Sequence, residues 1–389
     1  MKQKNFLILA AVAVVLLGAG IWLSAHRGQQ GNLGGGAVFP DLKAALGEVE
    51  EIRLSKGDGS RTTLHKGPSS KDNGGWMVVE RQYPADGSRV RELVMNLVAM
   101  KVIERKTSDP ANYVKLGVEA PDKPTAASTL LEVVAGKKTW SLIVGKGAEG
   151  RALYVRKPGE AASALAEPGV SADPDQKRWV DRAIIDLPGA NVHDISVKPA
   201  AGPAYLLTRA RRGDANLALS PVPKGRTAAS AMSIDAQGDA LVAFNFDDVR
   251  PVSAAASAPT DQATYRSFDG SVLEFSGRRD GPKTYVRVNA SHDPALAAEF
   301  AMPAAPEPAR PAVTGSATPA MPVAPTPKPA AQPAADVARL ATRARDVEYE
   351  IPVYKYEAIF KPQEELLEKN PPAEKKALPT KKALPAKKP

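Results

Sequence analysis

The chain contains no cysteine, four histidines and only 5% aromatic residues among its 389. Without a thiol there is no disulfide framework, thiolate metal site, iron–sulfur cluster or cysteine nucleophile. His26, His65, His193 and His292 stand far apart and in no metal-ligand spacing, and no H-E-x-x-H occurs. The phosphate-loop pattern G-x-x-x-x-G-K-[ST] is missing, so this chain is not itself the ATPase of a transporter. The G-x-S-x-G elbow of α/β hydrolases is missing too. Gly145-Lys146-Gly147 reads as a turn between strands, because no helix follows it. Asp247-Asp248 are adjacent on a strand and point to opposite faces, which argues against shared acid–base work. Asp173 and Asp175 read as the start of a short helix. Trp76, Trp140 and Trp179 read as core residues, with a ligand groove as the alternative. No catalytic, cofactor-binding or metal-ligating residue is assigned, and no cofactor is expected.

What the chain does have is 35 prolines, 43% hydrophobic residues and a formal charge of +9. The charge is unevenly placed. Residues 1–27 carry +3 and residues 371–389 carry +5, which leaves +1 for everything between. A nucleic-acid-binding domain would concentrate cations on folded elements beside stacking aromatics. Here the excess sits in the two termini, so nucleic acid is not expected as a partner.

Phe6 to Leu23 is uncharged throughout. Its eighteen residues would span ~27 Å as a helix, about the thickness of a bilayer core. Lys2 and Lys4 precede it and Trp22 ends it, which predicts an uncleaved single-pass anchor with a cytoplasmic N-terminus and a periplasmic body. A cleaved signal peptide is the alternative. This reading makes the inner membrane a partner through Phe6 to Leu23, and the chain an inner-membrane protein. Residues 25–37 read as a flexible tether.

The body reads as strands with occasional helices. Val49–Leu54, Arg61–Lys66 and Gly75–Val79 have strand character. Val90, Leu93, Val94, Leu97 and Val98 then recur at helical spacing, with Asp86 or Ser88 as the cap. Lys101–Lys106 is a strand, and Thr129–Ala135, Thr139–Gly145 and Ala152–Arg156 form a set of three. Asp175–Ile185 is predicted to be a short helix. Val192–Val197 echoes Val49–Leu54 at an offset of 143 residues, and strand, strand, strand, helix, strand follows again. A third strand group begins at Thr264.

Residues 302–335 hold ten prolines and no hydrophobic period, so they read as a disordered insertion. Asp336–Arg345 reads as helix, Val347–Ile351 as strand and Glu364–Leu367 as a closing helical turn. The end, KKALPT-KKALPA-KKP, reads as a solvated lysine-rich tail that could touch an anionic surface. The expected fold class is α+β: an N-terminal transmembrane helix, then repeated modules of antiparallel strands with a packing helix. The expected divisions are anchor 1–24, tether 25–37, first module with an extra three-strand unit 38–190, second and start of a third module 191–301, insertion 302–335, closing helix and strand 336–368, and tail 369–389.

Several short motifs in order carry a family resemblance. They are Val38-Phe39-Pro40-Asp41, Gly75-Trp76, Tyr83-Pro84-Ala85-Asp86, Leu142–Lys146, Leu153–Arg156, Trp179–Arg182 and Tyr349–Tyr354. With them the chain resembles the bacterial domain-of-unknown-function family 4340, well over residues 37–250 and loosely over 264–368. The resemblance implies a membrane-anchored auxiliary component found beside gliding-motility-type ABC transport systems. It implies no activity and no catalytic residues. The expected function is therefore a non-enzymatic accessory or interaction component of an ABC-type transport or cell-envelope complex. The alternatives are a module binding peptidoglycan or an anionic glycan and, more remotely, an uncharacterised hydrolase.

Overall fold

The computed structural model describes residues 35–67, 75–253, 258–301 and 331–368. The chain forms two compact units, divided between Arg182 and Ala183.

In the first unit the strands are β1 (Val49–Ser55), β2 (Arg61–Lys66), β3 (Trp76–Val78), β4 (Tyr83–Pro84), β5 (Lys101–Arg105), β6 (Thr129–Ala135), β7 (Lys138–Gly147), β8 (Leu153–Arg156) and β9 (Ser163–Glu167). Helix α1 (Gly87–Ala99) and the single turn α2 (Tyr113–Leu116) interrupt them. The strands form one antiparallel sheet in the order β4-β3-β2-β1-β6-β7-β8-β9-β5. Alternation builds the core: Ile52, Leu54 and Leu64 are wholly buried while their neighbours face outward. Helix α1 buries Val90, Leu93 and Leu97 along one face.

The second unit holds β10 (Ala183–Ile185), β11 (Val192–Lys198), β12 (Tyr205–Thr208), β13 (Ala218–Ser220), α3 (Ala231–Gly238), β14 (Phe244–Asn245), β15 (Asp248–Pro251), β16 (Asp261–Ser267), β17 (Ser271–Asp280), β18 (Lys283–His292), α4 (Pro294–Glu299), α5 (Ala331–Ala344), β19 (Val347–Ile351) and α6 (Val353–Ile359). Its large sheet runs β13-β12-β11-β16-β17-β18-β19-β15. Adding ten to each strand of the first sheet, β4 aside, gives this order. The register agrees as well. The β1–β6 ladder slips between Val49 and Glu51, and the β11–β16 ladder slips between Val192 and Asp194, both 143 residues later. Ile52, Leu54 and Leu64 have Ile195, Val197 and Leu207 as counterparts, all wholly buried.

Each unit closes on itself in the same way. Asp86 N–H donates to Trp179 O (2.7 Å) and Asp181 N–H donates to Pro84 O (3.0 Å). In the second unit Ala229 N–H donates to Leu366 O (2.8 Å) and Glu368 N–H donates to Thr227 O (2.9 Å). The isolated bridges Ala85–Val180 and Ala228–Leu367 lie between these bonds. The end of each unit thus clasps the loop that leads into its helix.

Several expectations are corrected. Among the described residues no helix is long and apolar enough to cross a membrane. The longest, α5, has 14 residues, about 21 Å at the ordinary helical rise against a ~30 Å hydrocarbon core. Phe6–Leu23 lie outside the described residues. The transmembrane helix and the inner-membrane placement drawn from it therefore have no support and are dropped. The fold is mostly β-sheet with several helices.

The helix expected over Asp175–Ile185 is a 3₁₀ turn at Gln176–Arg178 followed by strand β10. The clasp explains this, because Trp179 O and Asp181 N–H are committed to another part of the chain. The strands read as the start of a third module belong to the second sheet, where β16 pairs along β11. Gly145-Lys146-Gly147 is part of β7, and Gly147 pairs with Leu153. Of the expected tether, Gly35–Ala37 pairs beside β5 through Gly35 N–H to Val102 O (2.7 Å). Most of the proline-rich insertion and the lysine-rich tail lie outside the described residues.

Candidate functional site, an open cleft in the first unit

A cleft of about 800 Å³ opens in the first unit between helix α1, the sheet strands β6 to β8 and the segment 169–173. Side chains of Leu93, Val144, Leu153 and Trp179 supply apolar lining. Around them stand four cations, Lys56, Arg89, Arg151 and Arg178, against two carboxylates, Glu92 and Asp173.

Local sequence explains the shape. Asp86 caps α1, its Oδ1 accepting from the N–H groups of Ser88 (3.0 Å) and Arg89 (3.2 Å). Gly145 permits a close approach: a Cβ there would sit 2.5 Å from Leu116 O and 2.7 Å from a methyl of Val118. Segment 169–173 is tied at both ends. Gly169 N–H donates to Arg151 O (2.6 Å), Asn96 Nδ2 donates to Gly169 O (3.3 Å), and Trp179 Nε1 donates to Asp173 O (2.7 Å). Between those ties stand only Val170, Ser171 and Ala172, too small to fill the space.

The cations are not equivalent. Arg178 pairs with Asp173 at 2.8 Å. Arg89 pairs with Asp86 at 3.1 Å and donates to Arg178 O at 3.1 Å. Among the described residues neither Lys56 nor Arg151 forms an ion pair within 4 Å, although the Lys56 charge also acts on Asp58, so both can turn to an incoming group.

The second unit has the same location, but it is filled. Thr129 stands opposite Val144 in the first sheet, and Asp261 stands opposite Gly277 at the matching position of the second. Thr129 and Val144 line the open cleft. Asp261 and Gly277 lie beneath α6. The Tyr356 hydroxyl donates to Asp261 Oδ2 at 2.6 Å, and a Cβ on Gly277 would meet the Phe360 ring at 2.5 Å. The end of α6 is anchored by Tyr205 Oη donating to Lys361 O (2.6 Å) and Gln237 Nε2 donating to Ile359 O (3.4 Å). Burial raises the Tyr205 and Tyr356 hydroxyls above the ordinary tyrosine range; Asp261 raises Tyr356 further.

The histidines do not converge. His65 Nδ1 lies 3.7 Å from Glu51, and His292 Nε2 lies 3.1 Å from Asp269 O. His26 lies outside the described residues. His193 Nδ1 is 2.5 Å from the buried carboxylate of Asp194, which also accepts from Arg266 Nε at 2.9 Å. The His193 ring packs against Phe268 and Phe300, with centroids 5.2 and 4.9 Å away. Among the described residues no serine or threonine hydroxyl bonds to this imidazole, and no group of three or more His, Asp or Glu could hold a metal ion. Asp175 caps its 3₁₀ turn, while Asp173 joins the cleft. Trp140 is buried and donates to Asp41 Oδ1 at 2.9 Å. Trp179 is buried, as a core residue would be, and it also lines the cleft.

Sequence reasoning missed Lys56, Arg89, Arg151 and Arg178 as a group. The signal available was the pair of closing segments. With Gln176 aligned on Gln363, the small residues of 169–174 stand where the second unit has Val353–Lys361.

No curated protein matches the chain. The family match begins in β3 and ends in β16, so it crosses the division between the two units. Residues 76–267 match the family described as Domain of unknown function (DUF4340), and it is to this family, the one its motifs resemble, that the matched stretch belongs.

Proposed function

We propose that this chain is a non-enzymatic interaction component, accessory to a larger ABC-type transport or cell-envelope assembly. In this reading the cleft of the first unit holds the partner. One observation supports it above others: in two units whose main sheets share a strand order, β4 aside, the same location is filled from within in the second and open in the first. The cleft's volume falls in the range of about 300–1,000 Å³ common for preformed binding sites. Its lining offers charge and apolar surface, and among the described residues neither lining hydroxyl, Thr129 or Ser171, hydrogen-bonds to Glu92 or Asp173, which favours binding over bond-breaking.

Affinity purification of the full chain from its own cells tests the reading. Subunits of a transporter or envelope assembly should be recovered repeatedly, and fewer should come with a variant whose cleft is filled by Ser171→Trp. Repeated recovery without any such subunit would count against it.

A second reading has one observation in its favour. The excess of cations around the cleft, with Lys56 and Arg151 outside any close ion pair among the described residues, suits an anionic polymer such as peptidoglycan or an anionic glycan. Sedimentation with purified polymer should then weaken with salt and with K56E/R151E, and deletion of residues 371–389 should weaken it further. Sedimentation indifferent to salt would remove this reading.

A further inference from the structure

The occupant of the second unit's cleft shows what form of ligand the first is shaped to accept. Helix α6 enters that space with Tyr356, Ile359 and Phe360, spaced i, i+3 and i+4 on one face. The Tyr356 and Phe360 rings pack together, tilted by 51° with centroids 4.6 Å apart. This is the side-chain pattern of a helix laid in a groove. In the first unit the sheet positions that α6 covers, Thr129 and Val144, line an empty space of about 800 Å³. The six-residue link at 169–174 leaves that space unfilled.

Charge distinguishes the two locations. Adding the sequence offsets that superpose the clasps, 143 before the helix and 187 at the closing turn, places Pro199 at the position of Lys56, Met232 at that of Arg89 and Glu365 at that of Arg178. Three of the four rim cations thus have no cationic counterpart, and the second unit's own cation here, Arg279, stands over the Tyr356 ring (4.9 Å) and already pairs with Glu357 of α6 (3.3 Å). Helix α6 itself carries one lysine and one glutamate, Lys355 and Glu357. A segment suited to the first unit keeps the apolar face and adds acidic residues on its flanks.

We propose that the first unit's cleft accepts a short amphipathic helix of a partner protein. That helix would present bulky apolar or aromatic residues at i, i+3 and i+4 and carboxylates to Lys56 and Arg151. This rests on the reading of the chain as an interaction component and names the kind of segment it holds. The occupant is not α6 of this chain or of a second copy. Tyr356 is 2% exposed and bonded to Asp261, so α6 is already committed within its own unit.

The test uses the full chain and a stapled helical peptide. Its sequence is that of residues 352–361 with glutamate in place of Lys355 and Lys361; the staple is needed because a ten-residue helix is marginal alone. All four tryptophans precede residue 183, so a change in tryptophan emission reports the first unit. Saturable binding is expected, weakened about tenfold or more by K56E/R151E, and lost in Ser171→Trp. Each variant should keep the wild-type circular dichroism and melting temperature. A peptide with alanine in place of Tyr356 and Phe360 should not bind. Absence of binding, or equal binding by the alanine peptide, overturns the proposal. So does competition by polyglutamate as strong as by the peptide, which would assign the rim to polyanions in general. Recovery of a partner by affinity purification together with failure of the peptide would sink the helix inference and leave the interaction reading standing.

Discussion

The Tyr356 hydroxyl donates to Asp261 Oδ2 at 2.6 Å, and the two groups are 2% and 8% exposed. The carboxylate has other donors: Ala200 N–H on Oδ1 at 2.8 Å and Thr260 Oγ1 on Oδ2 at 3.1 Å. Tyr356→Phe keeps the ring and removes one charge-assisted hydrogen bond, a loss of about 1.5–3 kcal/mol. The remaining donors place the expected value at the low end. Tyr356→Ala empties the space as well and should cost about 3–5 kcal/mol. Hydrogen exchange of second-unit amides in graded denaturant reads both, and equal losses in the two variants would contradict this apportioning.

Gly277 is glycine because α6 leaves no room for anything larger. A Cβ there would lie 2.5–2.7 Å from atoms of Phe360 and Tyr356. Gly277→Ala should destabilise the second unit by about 1–3 kcal/mol through overpacking. Gly47→Ala is the control, since nothing lies within 4 Å of its Cβ position and its φ is ordinary. A neutral Gly277→Ala, measured by the same exchange experiment, would mean that α6 yields easily.

How much of this was legible in the sequence depends on where the information sits. Val49–Leu54 and Val192–Val197 alternate strongly, so their strands and the 143-residue offset could be read from pattern alone. The short strand β9, Ser-Ala-Leu-Ala-Glu, has little strand character and is held by its neighbours β8 and β5. Helix α6 was hidden because Val353, Tyr354 and Tyr356 read equally well as extended. Its helical period shows only when counted from Tyr356 through Ile359 to Phe360. The cleft was hidden for a further reason. It is made by missing side chains at 169–172, and its cations come from four segments far apart in sequence.

Alkaline conditions should unfold the second unit before its buried tyrosines ionise in place. Burial is the first cause raising the Tyr205, Tyr265 and Tyr356 hydroxyls. A group raised in the folded state holds its full stabilising contribution below the unfolded value, about 10 for tyrosine, and loses it as pH climbs above that. Ultraviolet titration of tyrosinate should therefore show one fraction near the ordinary value and a second released together with loss of second-unit structure. A single smooth titration of all nine tyrosines with structure intact would contradict this.

Glu348 places an opposite limit on the acid side. Its side chain is 1% exposed, and it bonds Arg278 Nη2 at 2.9 Å and Arg250 Nε at 2.7 Å. Burial by itself would raise the carboxyl, but the hydrogen bonds and charges of Arg278 and Arg250 outweigh it and hold it below the usual range. Such a depressed group stabilises the fold above about pH 4.3 and loses that contribution as pH falls through its lower folded value. Glu348→Gln should flatten the acid limb of the stability curve. Glu348→Ala should cost about 3–5 kcal/mol at neutral pH, because Arg278, 4% exposed, would keep a buried charge without its partner. A Glu348→Gln variant with the wild-type acid slope would assign that limb to other carboxylates.

The cap of α1 connects stability of the first unit to its cleft. Asp86 Oδ1 satisfies two backbone donors at the helix start, and its Oδ2 pairs with Arg89 Nε on the cleft rim. Its own N–H closes the clasp on Trp179 O. Asp86→Ala keeps the clasp, which uses only backbone, and removes the cap, for a loss of about 1 kcal/mol. Asp86→Asn keeps the Oδ1 acceptor and should recover most of it. The exposed Arg89 pair adds little, yet either change frees Arg89 to meet a ligand. Peptide binding to the cleft should therefore strengthen with Asp86→Asn while stability stays near wild type. Tryptophan fluorescence serves for both readings, since unfolding and ligand contact in the first unit each act on Trp179. Weaker binding by Asp86→Asn at unchanged stability would place Asp86, and not the cations beside it, among the groups that contact the ligand.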